Sequence, residues 1–349
     1  MTKKLEQWQD LDRKHYLHPF TDYNQLSKQG SRVFTKGEGI YIWDAEGHQV
    51  LDSMSGLWCV NLGYGRTELI EAAHQQMQEL PYYNSFFQCA HPPAIELGEI
   101  LSEIAPDGFS RVFYTGSGSE ANDTVIRLVR RFWQLQDKPD KQIIIARKNA
   151  YHGSTIAAAS LGGMEGMHTQ GAGIPIPNII HIAQPYWFQE GRDIDPNTFG
   201  IAVAEELEKA IDHHGIDKIA AFIAEPIQGA GGVIIPPETY WPVIQRICDD
   251  NEILLVVDEV VTGFGRLGEW FGSTTYEIKP DLIAFAKGVT SGYLPLGGVL
   301  VNDKVADTII AKGGEFTHGF TYSGHPVSCA VAIANIKILA EDKDRKSVV

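Results

Sequence analysis

The stretch EILLVVDEV, Glu252 to Val260, runs through apolar residues from Ile253 to Val257 and closes on Asp258 and Glu259. An unbroken run rich in Leu, Ile and Val, with no polar alternation, reads as a strand buried on both faces. The acids at its end must be solvated, hydrogen-bonded or paired. The same character recurs in QIIIA (142–146), KIAAFIAEP (218–226), DLIAFAKG (281–288) and GGVLVN (297–302), and RVFY (111–114) makes a shorter strand. Helical patterns lie between them, among them VAEELEKAIDHH (203–214) and YWPVIQRICDD (240–250). Strands alternating with helices predict an α/β fold built on a mostly parallel sheet covered on both faces.

Outward from this centre the signals are more local. GIYIWDAEGHQVLD places Asp44 to Gly47 as a turn between two short strands. The segment after Pro92 has helical spacing at Ile95, Gly98, Leu101 and Ile104. After RVFY a Gly/Ser turn opens a helix whose buried face is marked by Val125, Leu128, Val129 and Phe132. Beyond His325, PVSCAVAIANIKILA reads as a buried helix rich in small residues.

Composition sets outer bounds. The 349 residues carry 44 acidic and 29 basic side chains, for a formal net charge of -15. A chain this acidic, with no cluster of Lys and Arg, is a poor partner for nucleic acid or for anionic membranes. No apolar run reaches membrane-spanning length, and MTKKLEQWQDLDRKHY lacks the apolar core of a signal peptide. The four cysteines form no CxxC pair and read as reduced thiols. A soluble, cytoplasmic protein is the expectation.

In open α/β sheets ligands gather beyond the carboxyl ends of the strands. RVFY is followed by Ser117, Gly118 and Ser119, small residues that open a helix and leave backbone N–H groups for an anion. Gly116 and Gly118 brush the dinucleotide fingerprint, but the acid expected about twenty residues on falls in a polar stretch rather than at a second strand end. QIIIA is followed by Tyr151, an aromatic able to stack on a planar ligand, and by His152, which has no companion at metal-ligand spacing. Then come Glu225 beside a Gly-rich loop, Asp258, and Lys287. Asp258 has a Walker-B look, yet the chain contains no GxxxxGK[ST]. Lys287 ends an apolar run, where a lone lysine usually snorkels outward. The functional reading is an amine made neutral and nucleophilic by desolvation. A phosphate cradle, an aromatic platform, a carboxylate and an amine together suit pyridoxal phosphate, with Asp258 on the ring nitrogen and Lys287 as the Schiff-base lysine. Gly288 is expected to give the chain room to turn beside that cofactor.

YTGSGSEAND, NAYHGST, AEPIQGAGG, DEVVTGFGRLG, FAKG and HGFTYSGHP, in this order, closely resemble the class III (omega) aminotransferases among the fold type I pyridoxal-phosphate enzymes. The resemblance implies a mostly parallel, seven-stranded type of sheet. It divides the chain into an N-terminal small-domain segment (1–53), a large cofactor-binding domain (54–316) and the start of a C-terminal small domain (317–349). It implies that Lys287 carries the cofactor and then acts as base and acid, that Asp258 pairs the ring nitrogen, and that Tyr151 and Val260 flank the ring. Ser117, Gly118 and Ser119 would bind the phosphate, and Glu225 would be the pocket glutamate. Phe320 and Thr321 would reach a neighbouring subunit's phosphate, making the unit a homodimer. Trp58 in MSGLWCVNLGYG and Phe86 in YYNSFF resemble the amine–pyruvate and omega-amino-acid–pyruvate branch. With Phe20 they would form an apolar pocket for an amine donor, with pyruvate or another 2-oxo acid as acceptor. The same cofactor site also serves decarboxylases and aminomutases. Family chains run on past this point and carry there an arginine that grips the acceptor carboxylate. The tail DRKSVV departs from the family pattern, so a truncated, catalytically incompetent protein is the alternative expectation.

Overall fold

A computed structural model describes residues 4–171 and 173–341 of the chain; the tail DRKSVV lies outside the described residues. Three N-terminal strands, β1 (Phe34–Glu38), β2 (Tyr41–Asp44) and β3 (Gln49–Leu51), form a small antiparallel sheet. The β2–β3 connection is the turn expected at Asp44 to Gly47. Seven more strands follow: β4 (Phe109–Thr115), β5 (Ile143–Arg147), β6 (Ile179–Ile182), β7 (Ile219–Ala224), β8 (Leu254–Asp258), β9 (Leu282–Phe285) and β10 (Gly297–Asn302). They form one sheet in the order β4-β10-β9-β8-β7-β5-β6. All neighbours pair in parallel except β10, which runs antiparallel to both β4 and β9. A strand antiparallel to two neighbours leaves those two pointing the same way. The carboxyl ends of β4, β5, β7, β8 and β9 therefore share one edge.

The apolar runs carry side chains to both faces, as a doubly covered sheet requires. Ile144, Ala146, Leu254 and Val256 pack beneath the helix Gly118–Leu135, against its Val125, Leu128, Val129 and Phe132. Their strand neighbours Ile143, Ile145, Leu255 and Val257 turn to the opposite face and meet the helices Pro196–His214 and Tyr240–Asp250. A third cluster joins Ile283, Phe285 and Leu300 to the helices Pro92–Ile104 and Pro326–Glu341. Each such buried Leu, Ile, Val or Phe side chain contributes about 1.5–3 kcal/mol from desolvation.

Two local expectations change. The helix Pro92–Ile104 buries Leu97 and Leu101, while Ile95 faces solvent at 62% exposure; the core side lies one step along from the Ile95–Gly98 stripe. Strand β6, whose sequence IIHI is short and interrupted by His181, was not expected from the pattern.

Candidate active site

The shared carboxyl edge gathers the residues singled out above. Asp258 ends β8 and pairs with Ala284 of β9, so Lys287, three residues beyond Ala284, stands on the adjacent strand end. A cavity of about 410 Å³ is bordered there by Ser117, Gly118, Ser119, Tyr151, Asp258 and Lys287, and Val260 also faces it.

Asp258 is buried, with 3% exposed, and its oxygens are held from three sides. Oδ2 accepts from Asn122 Nδ2 at 2.8 Å and faces His152 Nδ1 at 2.7 Å; Oδ1 accepts from the Val260 amide at 3.0 Å. Asn122 donates its second N–H to the His152 carbonyl at 2.7 Å. Burial alone would push His152 down, but its hydrogen bond to Asp258, with the charges of Glu225 and Asp258, carries it above its ordinary value. Its Nε2 is buried without a partner.

Glu225 sits one layer behind. Its Oε2 meets Arg147 Nη2 at 3.3 Å, its carbonyl accepts from the same nitrogen at 2.6 Å, and its Oε1 accepts from the Tyr151 amide at 3.3 Å. Burial raises its carboxyl, opposed by His152 and Arg147. Arg147 is fully buried between the rings of Tyr240 and Trp241. Asp258, His152, Glu225 and Arg147 thus form one buried polar cluster running inward from the cavity. An isolated charge at any of these positions would be prohibitive; together they are mutually supported.

Lys287 lies mostly out of solvent. Desolvation lowers its ammonium below the ordinary value, with Cys59, Asp258 and Glu225 opposing and Arg266 reinforcing the shift. Its Nζ is 5.6 Å from the Trp58 ring. The backbone at Lys287 is left-handed, with φ 48°. The expectation for Gly288 changes accordingly: Lys287 makes the turn, and the glycine leaves room for Asn61, whose Nδ2 would lie 2.7 Å from a Cβ there.

At the cradle, Ser117 caps the helix Gly118–Leu135 by accepting from the Glu120 amide at 3.2 Å, and Ser119 Oγ accepts from the Ser154 amide at 3.0 Å. Gly118 and Ser119 open the first turn, where backbone N–H groups have no intrahelical acceptor. A Cβ at Gly118 would stand 3.0 Å from Val260, so only glycine keeps this wall open.

The remaining residues from the sequence are more dispersed. Phe20 meets the Tyr151 ring edge-on, with centroids 6.3 Å apart. Phe86 borders a separate groove with Phe113, Phe316 and Gly319 rather than the Lys287 cavity. Glu225 is likewise behind the cavity wall and not on it. Phe320 and Thr321 do not border their own chain's cavity; the Thr321 carbonyl accepts from Tyr82 Oη at 2.7 Å. Sequence reasoning missed Asn122 and Arg147 and saw His152 only as an unlikely metal ligand. The available signal was a polar side chain on an otherwise apolar face, which must find a partner.

The chain matches the model of the family described as aminotransferase class-III over residues 23–348. It belongs to the class-III aminotransferases. Among similar proteins, the putrescine–pyruvate aminotransferase of Pseudomonas aeruginosa is 59% identical over 340 residues, covering 97% of this chain and 74% of the relative. The vanillin aminotransferase of Capsicum annuum is 45% identical over 330 residues, covering 93% and 72%. In structure, the (S)-enantioselective omega-transaminase from Thermomicrobium roseum superposes with a TM-score of 0.95 at 45% identity, covering 98% of this chain and 76% of that one. The aminotransferase is accordingly a fold type I, pyridoxal-phosphate-dependent enzyme. Its residues fit that cofactor. A helix N-terminus kept open by Gly118 suits a phosphate, a buried carboxylate at the cavity wall suits a pyridinium nitrogen, and a desolvated amine suits an aldehyde.

Proposed function

We propose that this aminotransferase moves an amino group from a primary amine or omega-amino acid to pyruvate or a similar 2-oxo acid, in two half-reactions. The observation that carries the reading is the meeting of Lys287 and Asp258 on one cavity whose other end is a helix N-terminus. The donor and acceptor classes rest on likeness to the putrescine–pyruvate enzyme, and on an aromatic wall at Trp58 that suits an amine lacking an α-carboxylate.

Bound pyridoxal phosphate supplies an electron sink. The chain's own residues do the rest. Gly118 and Ser119 present backbone N–H groups, and Ser117 and Ser119 hydroxyls, to the phosphate. Asn122 Nδ2 and the Val260 amide donate to Asp258 and His152 Nδ1 faces it, which holds the carboxylate where it would pair the ring nitrogen. Tyr151 and Val260 would hold the cofactor ring between them, and Glu225 fixes the Tyr151 backbone. Lys287 Nζ, favoured as the neutral amine, takes a proton from the donor's carbon and returns one at the neighbouring atom.

The assembly belongs to the same reading: a cytoplasmic homodimer in which Phe320 and Thr321 of one subunit complete the other's phosphate site, with residues 54–316 as the large domain. The location has the support of four free thiols and, among the described residues, no helix long and apolar enough to cross a membrane; the dimer rests on the exposed Thr321 lying away from its own chain's cavity. The test is alanine formation from pyruvate with putrescine, a longer diamine and an arylalkyl amine as donors, alongside borohydride trapping. Alanine formation with cofactor trapped on Lys287 is the expected result. Carbon dioxide release without alanine, or trapping on another lysine, would sink it.

A further inference from the structure

Non-glycine residues in the left-handed region are strained, and they persist only where surrounding contacts over-determine them. Three segments around the Lys287 amine contain such residues. Ser55, Leu57 and Trp58 have φ of 50°, 68° and 60°, Phe264 has 57°, and Lys287 has 48°. The first lies about two hundred residues before the other two in sequence. One side chain joins them. Asn61 Nδ2 donates to the Phe264 carbonyl at 2.9 Å, and Asn61 Oδ1 accepts from Arg266 Nη2 at 2.6 Å. The same Nδ2 occupies the space that a Cβ on Gly288 would need. Immediately after it, the Leu62 amide donates to Ser291 Oγ at 2.8 Å. Arg266 Nε is buried with no partner, so Asn61 is the side-chain acceptor this guanidinium has among the described residues.

The 55–58 turn has weaker ties of its own. The Gly56 amide donates to Asp52 Oδ2 at 2.7 Å, and Ser55 Oγ donates to the Val60 carbonyl at 3.0 Å, both within the same short loop. Leu57 is 56% exposed and adds little packing. Alongside the Leu62–Ser291 bond, the Asn61 junction ties the turn to the lysine strand, and it is the tie nearest the Trp58 turn. The Trp58 ring stands 5.6 Å from Lys287 Nζ, within reach of whatever that amine attacks.

We infer that Asn61 is the positioning residue that fixes Trp58 above the Lys287 amine and so sets how bulky an amine donor the site admits. The inference rests on the donor reading above. In N61A both amide bonds are lost. In N61D the acceptor for Arg266 survives and only the bond to the Phe264 carbonyl is lost, so its effects fall between wild type and N61A.

The first measurement is hydrogen exchange on cofactor-free protein. Losing two hydrogen bonds at the junction should speed exchange in residues 54–62 by roughly tenfold or more in N61A, with β8 and the helix Gly118–Leu135 unchanged. The second compares loaded enzymes by the ratio of kcat/KM for an arylalkyl amine to that for putrescine. In N61A the ratio should rise at least about threefold, and N61A added to W58A should change it no further, because both act through the same ring. Unchanged exchange at 54–62, faster exchange across the whole sheet, or N61A and W58A effects that multiply would each overturn the assignment. If wild-type enzyme transfers no amine to pyruvate, the donor reading fails, while the exchange experiment still decides whether Asn61 holds the turn.

Discussion

Asp258 faces three donors inside the protein and one cavity outside it, so its charge is set by neighbours that never touch a substrate. Replacing it with Asn keeps the shape but removes the carboxylate that faces His152 Nδ1 and that would pair the ring nitrogen. In D258N we expect turnover to fall by about 10²–10⁴-fold. Borohydride should still fix the cofactor to Lys287, because the amine is desolvated by its own surroundings. A mass shift on the Lys287 peptide separates loss of chemistry from loss of binding. Lys287 makes a second, pH-based prediction in the cofactor-free protein. Its folded value is below the ordinary 10.5. Between the two values the unfolded chain binds more protons, so stability must rise with pH across that window and be lost as pH falls through the folded value. The urea midpoint of wild type minus that of K287M should rise with pH across that window, since the other titrating groups are common to both proteins.

At the scale of elements, the strand ends are held together by close contacts that a methyl group would break. Gly153, in the turn after β5, has φ 132°, and a Cβ there would stand 2.4 Å from Ser119 Oγ and 2.7 Å from Ser119 Cα. The Cα cannot move without shifting the helix Gly118–Leu135. G153A should therefore cost about 1–3 kcal/mol, visible as a lower urea midpoint with an unchanged slope, and should weaken cofactor binding through the displaced Ser119 amide.

The same elements show what the sequence could and could not reveal. Strands β5, β7, β8 and β9 were legible because continuous apolar runs between helices have few other uses, and their ends named Asp258 and Lys287 directly. Strand β6 was hidden by its length and by His181. The left-handed turn at Ser55 to Trp58 was invisible because no local preference demands it; Leu57 and Trp58 adopt it under contacts made far along the chain. Likewise Arg147, Asn122 and His152 acquire meaning only when folding stacks them behind Asp258. For Phe86, the motif suggests that an aromatic is in a pocket but not which pocket, and within its own chain it borders the groove with Phe113 and Phe316.

At the scale of the whole molecule, the segment carrying Phe320 and Thr321 raises a question of which cavity it serves. Thr321 and Tyr322 are exposed, and neither Phe320 nor Thr321 borders its own chain's cavity. If they complete a neighbour's phosphate site, the two defects K287A and T321D must complement each other across a dimer. Each homodimer should be impaired: the first lacks the amine, and the second sets a carboxylate against a phosphate. Exposed at the surface, T321D leaves the fold intact. In a mixed dimer, one cavity combines the intact Lys287 of the T321D chain with the intact Thr321 of the K287A chain. That cavity should work, returning roughly half the wild-type activity per dimer, since the second cavity inherits both defects. Were Thr321 to act within its own chain, every cavity of the mixed dimer would carry one defect and no activity would return. Co-expressing the two chains with different affinity tags, purifying the doubly tagged species and measuring alanine formation decides between these outcomes.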